Sequence, residues 1–401
     1  MGSLGGQRRY VVGTVSGAHF VSHVYLLAYP PLFPLLAAEF DLTTTRLGLL
    51  VTAIYVPTLL FQLPVGDLVD RIGAKRILVG GIAVTSLGIA LSGLSGAYWL
   101  LLACAFVSGI GQSAFHPADY ALLDAVTERD TEGVAFSLHT FGGFAGFAAA
   151  PVAVGGLGLS VGWDVALVAV GSLGFAYAAF VHLTMDPVHG RTLRDRNRSD
   201  SHSAGRSVRE MVSFVRRGDL LSVFVFYALS MMAIVGLQSF TTLLAVETYG
   251  LDGSTANTLL TAHLVSMAVG ILVGGPVADR LPPGTVILLA FLPAAFCVWV
   301  AVVGPVGGLS GPLVALSLAG LLIGVALPSR DRFANAVADP GATGTSFGFF
   351  FTGLSLGAVL APVLLGAVID ARSAAAAFAV VGVFLLLAVA VVVLTTGGPE
   401  E

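Results

Sequence analysis

Apolar runs near the length an α-helix needs to cross about 30 Å of hydrocarbon, roughly twenty residues, follow one another along almost the whole chain. They fall near 11–37, 46–66, 76–96, 98–126, 134–158, 162–184, 219–246, 254–278, 285–304, 311–338, 345–369 and 374–396, twelve in all. Gly, Pro or a few charges separate them. Only 10% of the residues are charged, whereas soluble domains carry about a quarter, so water is not the solvent for most of this chain. Inside a bilayer every backbone N–H and C=O must be paired within the protein. Runs of this length satisfy that as helices, and an all-α membrane protein of twelve transmembrane helices is the expected fold. MGSLGGQRRY leads into an apolar run too long for a signal-peptide core, and is expected to open a retained first membrane helix. Cys104 and Cys297 both lie within apolar runs, which favours buried packing over a disulfide framework or a metal site.

One segment interrupts the pattern. Residues 186–218 are polar and rich in Arg and Ser, and they divide six spans from six. The expected organisation is a helical bundle over 1–185, a basic cytoplasmic linker over 186–218 and a second bundle over 219–401. With both termini placed in the cytoplasm, every Lys and Arg except Arg46 and Arg372 falls on that side, as the positive-inside rule requires. The halves also repeat. Pro117 and Pro328, Gly133 and Gly344, Phe136 and Phe347, Gly142 and Gly353, Gly146 and Gly357, and Pro151 and Pro362 all pair at an offset of 211. VDRIGAKR in the first half likewise meets VADRLPPG in the second, where Asp70 and Arg71 answer to Asp279 and Arg280 at an offset of 209. Two six-helix bundles related in this way are the architecture of secondary transporters that rock around a central site.

The segment GDLVDRIGAKR, residues 66–76, closely resembles the signature between the second and third spans of the major facilitator superfamily: Gly66, Leu68, Asp70, Arg71, Gly73, Lys75 and Arg76 fit it, and Ala74 departs. Such a loop can latch one bundle against the other, with Gly66 allowing close helix approach, Gly73 a tight turn and the basic residues facing cytoplasmic headgroups. Within the superfamily, GIGQSAFHPADYALLDAV (109–126) and the stretch 327–366 are similar to the fosmidomycin-resistance group. That resemblance implies efflux of a small organic compound coupled to proton entry. Two antiporter features depart from the pattern. Ala105 stands where many proton-coupled members carry an arginine, and the fifth-span motif survives only as APVAVGG at 150–156.

FHPADYALLDAV, residues 115–126, carries ionisable groups inside the fourth span. At 1.5 Å per residue Asp119 lies about 10 Å, and His116 about 15 Å, from an end near Val126. Charge at that depth costs about 3 kcal/mol on insertion scales unless it faces a cavity or a partner. His116 and Asp119, three apart, share one helical face. Pro117 removes a backbone hydrogen bond and bends the span, and Pro328 is its repeat-equivalent hinge. The 211 offset sets Asp119 against Arg330, with Asp331 and Arg332 beside it, so an ion pair between them that closes the cytoplasmic side is one expectation, and a fixed stabilising pair or charges at the membrane rim the other. His19 and His23, four apart on the first span, share a face. They line a cavity, bond to neighbouring helices, or bind metal; no Cys or carboxylate spacing supports the last. Tyr25, His139 and His263 extend the polar group, and Gln238, Ser239, Thr241 and Thr242 on the seventh span are candidate hydrogen-bonding residues or helix-to-helix contacts.

GLSLG at 353–357 matches the nucleophile-elbow string, but its setting lacks the strand-to-helix turn that chemistry needs. No HExxH and no Walker string is present, so an enzyme is not expected, nor any cofactor or metal. A non-transporting sensor on the same fold is a further class; ionisable residues near the midplane of repeat-related spans favour a transport cycle. The expected partners are a small-molecule solute, protons and the lipid bilayer of the cell membrane, with no nucleic acid, and the chain is expected to be a monomer. Uptake of a small organic anion or sugar is the alternative to efflux.

Overall fold

A computed structural model describes residues 2–127, 132–186, 214–303, 309–339 and 342–396. Most of the basic linker expected over 186–218, residues 187–213, lies outside the described residues. All regular structure among the described residues is helical, and twelve helices or helix pairs are long and apolar enough to cross a membrane. They match the apolar runs closely: the fourth covers 98–126, the sixth 163–184 and the twelfth 374–396. Side chains such as Leu63, Leu94, Leu183, Val303 and Leu394 point outward unburied, as lipid-facing residues should.

The first unit, residues 1–42 and 49–201, contains α1 (Gly2–Leu26), α2 (Phe33–Phe40), most of α3 (Thr44–Ile72), α4 (Ala74–Ser92), α5 (Tyr98–Gln112), α6 (Phe115–Val126), α7 (Glu132–Ala150), α8 (Gly156–Val161) and α9 (Trp163–Thr184). Proline marks three breaks within these spans, although Pro57 and Pro64 lie inside unbroken α3. Pro30 and Pro31 lack the N–H groups that would continue α1, and a 3-10 turn takes over before α2. Pro117 cannot bond the carbonyl of Ser113, so the fourth span divides into α5 and α6 around Ser113 and Ala114. There the hydrogen bonds tighten, with Ala114 N–H donating to Gly111 at 3.1 Å. Pro151 opens a π-helical turn, Pro151–Gly155, between α7 and α8.

The second unit, residues 43–48 and 202–401, contains α10 (Gly218–Tyr249), α11 (Gly253–Arg280), α12 (Pro283–Val300), α13 (Ser310–Val337), α14 (Thr343–Ala371) and α15 (Ala374–Thr396). Within it, Asp370 accepts the backbone N–H groups of Thr44 at 2.7 Å and Thr45 at 2.9 Å. The prolines behave differently here. Pro328 and Pro362 lie inside unbroken helices, so the hinge expected at Pro328 is not a break as it is at Pro117.

The signature segment also departs from expectation. Most of it is helix rather than loop: α3 continues to Ile72, and Arg71 bonds Asp67 one turn back at 3.0 Å. Gly73 alone leaves the helix, at φ +95°, a left-handed conformation that glycine adopts without a Cβ clash. Gly66 has open space where a β-carbon would stand. Lys75 reaches from the start of α4 to the carbonyl of His182 on α9 at 2.9 Å. Asp279 and Arg280 end α11, where the chain turns extended at Leu281 rather than left-handed, and Arg332 lies 3.9 Å from Asp279.

Candidate functional site

Helix α7 can lie directly on α1 because it is made of small residues where the two cross. A β-carbon at Gly142 or Gly146 would collide with the carbonyl oxygens of Ser16 or Phe20, and one at Gly143 with the rings of His19 and His23. The close approach brings His139 of α7 into a stack on His19 of α1, their ring centroids 3.8 Å apart. The break before α6 brings in the third member. Asp119, on the first turns of α6, lies 3.0 Å through Oδ2 from His139 Nε2 and 3.4 Å from His19 Nδ1. All three residues are buried.

Two more imidazoles border this trio. His23 lies one turn from His19 at 4.3 Å between centroids, and His116 lies 5.3 Å from His19. Tyr120 packs near His116 and His139. The carboxylate thus sits among four histidines, with one strong hydrogen bond. The contact to His19 is short enough for attraction but poorly aligned for a hydrogen bond, and among the described residues His19 Nδ1, His23 Nδ1, His116 Nδ1 and Asp119 Oδ1 are buried without a hydrogen-bond partner. Each such group costs about 1–3 kcal/mol, and a site that keeps four together is suited to water, a proton or a solute group that can satisfy them. The reciprocal bonds of Ser22 with Gln112, at 2.7 and 2.8 Å, hold α1 to the end of α5 beside the break.

Donor atoms of His19, Asp119 and His139 all lie within 4.8 Å of one another, the carboxylate that the His19 and His23 pair lacked in the sequence. His139 and Asp119 form an imidazole–carboxylate pair at hydrogen-bond length, which can share a proton.

Asp119 and Arg330 each have partners within their own unit. On α13, Arg330 donates through Nε to Asp331 at 2.9 Å and lies over the ring of Tyr227, 4.8 Å from its centroid. The Tyr227 hydroxyl also donates to Asp331, at 2.9 Å. Gln238 is buried on α10, eleven residues beyond Tyr227, about 16 Å along the helix, and so lies away from the Tyr227 cluster. His263 is a packing residue: Nδ1 contacts the Leu316 carbonyl at 2.8 Å, and Gly320 lies against its backbone.

His139 and Tyr227 are the members that residue spacing did not single out. Internal symmetry was the available signal. The glycine contacts set Ser16 against Phe224 and Phe20 against Ala228, an offset of 208 that carries His19 onto Tyr227, while 211 carries His139 onto Phe350 and Asp119 onto Arg330. Tyr227 and Phe350 are themselves in contact, at 6.0 Å between centroids. The two clusters are therefore repeat-equivalent.

The family model described as Major Facilitator Superfamily matches residues 15–255 and 223–401. The chain belongs to this superfamily. Among its relatives is the uncharacterized MFS-type transporter YfnC of Bacillus subtilis strain 168, 26% identical over 365 residues, covering 88% of this chain and 85% of that protein. The fosmidomycin resistance protein of Escherichia coli K12 is 24% identical over 68% of this chain and 65% of its own. The probable sulfoacetate transporter SauU of Cupriavidus necator is 25% identical over the same shares. In fold, the chain is similar to a bacterial homologue of the human lysosomal transporter Spinster in an inward-facing, occupied conformation. The TM-score is 0.82 over 97% of both chains at 16% identity. As a superfamily member the protein is a multi-pass membrane transporter.

Proposed function

We propose that the protein is a proton-coupled secondary transporter that exports a small organic solute by alternating access, with the Asp119 cluster as its proton site. The observation that carries this reading is the 3.0 Å contact between buried Asp119 and His139, beside the unsatisfied atoms of His19, His23 and His116. A carboxylate inside a span is costly to keep charged. Binding and releasing a proton there, with imidazoles as relay, gives that cost a use in a transport cycle. Similarity to a fosmidomycin resistance protein supports efflux. The proposed setting is the cell membrane, with both termini cytoplasmic and the 66–76 and 279–280 segments acting as a latch on that side.

The second reading, uptake of a small organic anion, is favoured by Arg330 within the tenth span and by similarity to a probable sulfoacetate transporter. The test reconstitutes the purified protein in liposomes holding a pH-sensitive dye, imposes a pH gradient, and adds pooled organic anions and drugs, fosmidomycin and sulfoacetate among them. A solute-dependent pH change that Asp119→Asn abolishes is expected. Solute flux without proton movement, equal in wild type and variant, would make Asp119 a structural charge and the protein a facilitator.

A further inference from the structure

Resting on the transporter reading, we infer that Arg330 is the oxyanion subsite of the solute pathway, and that the solute carries a phosphonate, sulfonate or carboxylate group. Arg330 lies seven residues before Val337, the end of α13, about 10 Å into the span. Its side chain is only 13% exposed. A cation at that depth needs either a structural partner or a ligand.

Its surroundings fix the guanidinium without using all of it. The face lies on Tyr227, which is fully buried and held in turn by Asp331. The hydrogen bond to Asp331 runs through Nε. The two η nitrogens, the edge that grips an oxyanion bidentately, lie outside the Nε–Asp331 bond, with the Tyr227 hydroxyl as a further hydrogen-bonding neighbour of the guanidinium. Asp331 is 52% exposed at its side chain, so a solute oxyanion can compete with it for the guanidinium at less cost than with a fully buried partner.

Comparison with the first unit sharpens the assignment. The repeat puts Tyr227 and Phe350 where His19 and His139 stand, and Arg330 where Asp119 stands. The first cluster is built of groups that exchange protons. The second has replaced them with a fixed cation on an aromatic platform, which does not exchange protons at any physiological pH. A site of that composition binds charge permanently; it suits the solute rather than the coupling ion.

The experiment measures binding to the full-length purified protein in detergent, with no gradient, using phenylphosphonate, benzenesulfonate, benzyl alcohol and benzyltrimethylammonium as size-matched probes. Wild type is expected to bind the two oxyanions and to discriminate against the neutral and cationic probes. Arg330→Gln should weaken oxyanion binding by about 10- to 100-fold, the range for losing a charged hydrogen-bonded contact. Arg330→Lys should recover part of it, since charge returns without the fork. Unchanged thermal unfolding of both variants shows that folding is intact. Oxyanion binding that survives Arg330→Gln, or wild type that binds no oxyanion, overturns the inference. Either result leaves proton coupling through Asp119 to stand or fall by the liposome assay, so the two failures are distinguishable.

Discussion

In the first unit α7 meets α1 through Gly142 and Gly146, and in the second α14 meets α10 through Gly353 and Gly357, each glycine against a backbone carbonyl of the facing helix. Gly109 meets Ile54 in the same way that Gly320 meets His263. The skeleton of close helix contacts is thus shared. Chemistry and helix continuity are not. Around one repeat position stand Asp119, His19 and His139; around its counterpart, Arg330, Tyr227 and Phe350. The spans carrying the acidic cluster break at Pro117 and wind into a π-turn at Pro151, while the equivalent helices run unbroken through Pro328 and Pro362. A duplicated scaffold keeps its backbone contacts, because a β-carbon anywhere in them would separate two helices. The side chains between those contacts are free to diverge into complementary roles.

If packing is the shared property, breaking it should hurt both units alike. Gly146→Val and Gly357→Val are each expected to cost about 3 kcal/mol or more, the upper range for overpacking, because the obstacle is a carbonyl oxygen that cannot turn aside. Thermal unfolding in detergent checks this. A large loss for one and none for the other would show that the glycine contacts are not equivalent.

Exchanging the chemistry should be asymmetric. His139→Phe, which installs the residue of the second unit, removes the one strong hydrogen bond of buried Asp119 and should cost about 1–3 kcal/mol. It should also impair solute-driven proton movement. Phe350→His, the reverse exchange, adds an imidazole beside Tyr227 and should leave proton coupling intact, with a smaller stability loss of about 1 kcal/mol. Equal effects on proton movement would break the division of labour between the clusters.

The twelve spans were legible because lipid leaves little choice: apolar runs of the right length must be helices. Asp119 and His116 stood out for the same reason, as ionisable groups where ionisable groups are expensive. His139 was harder. It lies twenty residues from Asp119 on another helix, and no local periodicity joins them; only the crossing of α1 and α7 does. The repeat matches Asp119 with Arg330 as equivalents, and the structure gives each residue partners in its own unit. Prolines in identical register gave no hint that one pair would break its helices and the other would not. The local residues after Pro117 and Pro328, Ala-Asp-Tyr against Ser-Arg-Asp, form helix in both cases.

The start of a helix is where the comparison makes its smallest claim. α11 carries its own cap: Asp252 accepts the backbone N–H groups of Ser254 at 3.0 Å and Thr255 at 3.1 Å, and the Thr255 hydroxyl at 2.6 Å. Its counterpart α3 instead donates its first two backbone N–H groups to Asp370, a residue distant in sequence. The bonds from Thr255, side chain before backbone, hold the Asp252 carboxyl below its ordinary range. A carboxyl lowered in the folded state stabilises above its unfolded value, near 3.9, and loses that contribution as pH falls through the lowered folded value. Asp252→Ala should therefore lower the melting temperature slightly at pH 7, by less than any substitution above, since the cap is exposed and local. The gap from wild type should close only as the medium is acidified below about pH 4. A gap that persisted unchanged at low pH would assign the effect to the backbone conformation of the cap rather than to its charge.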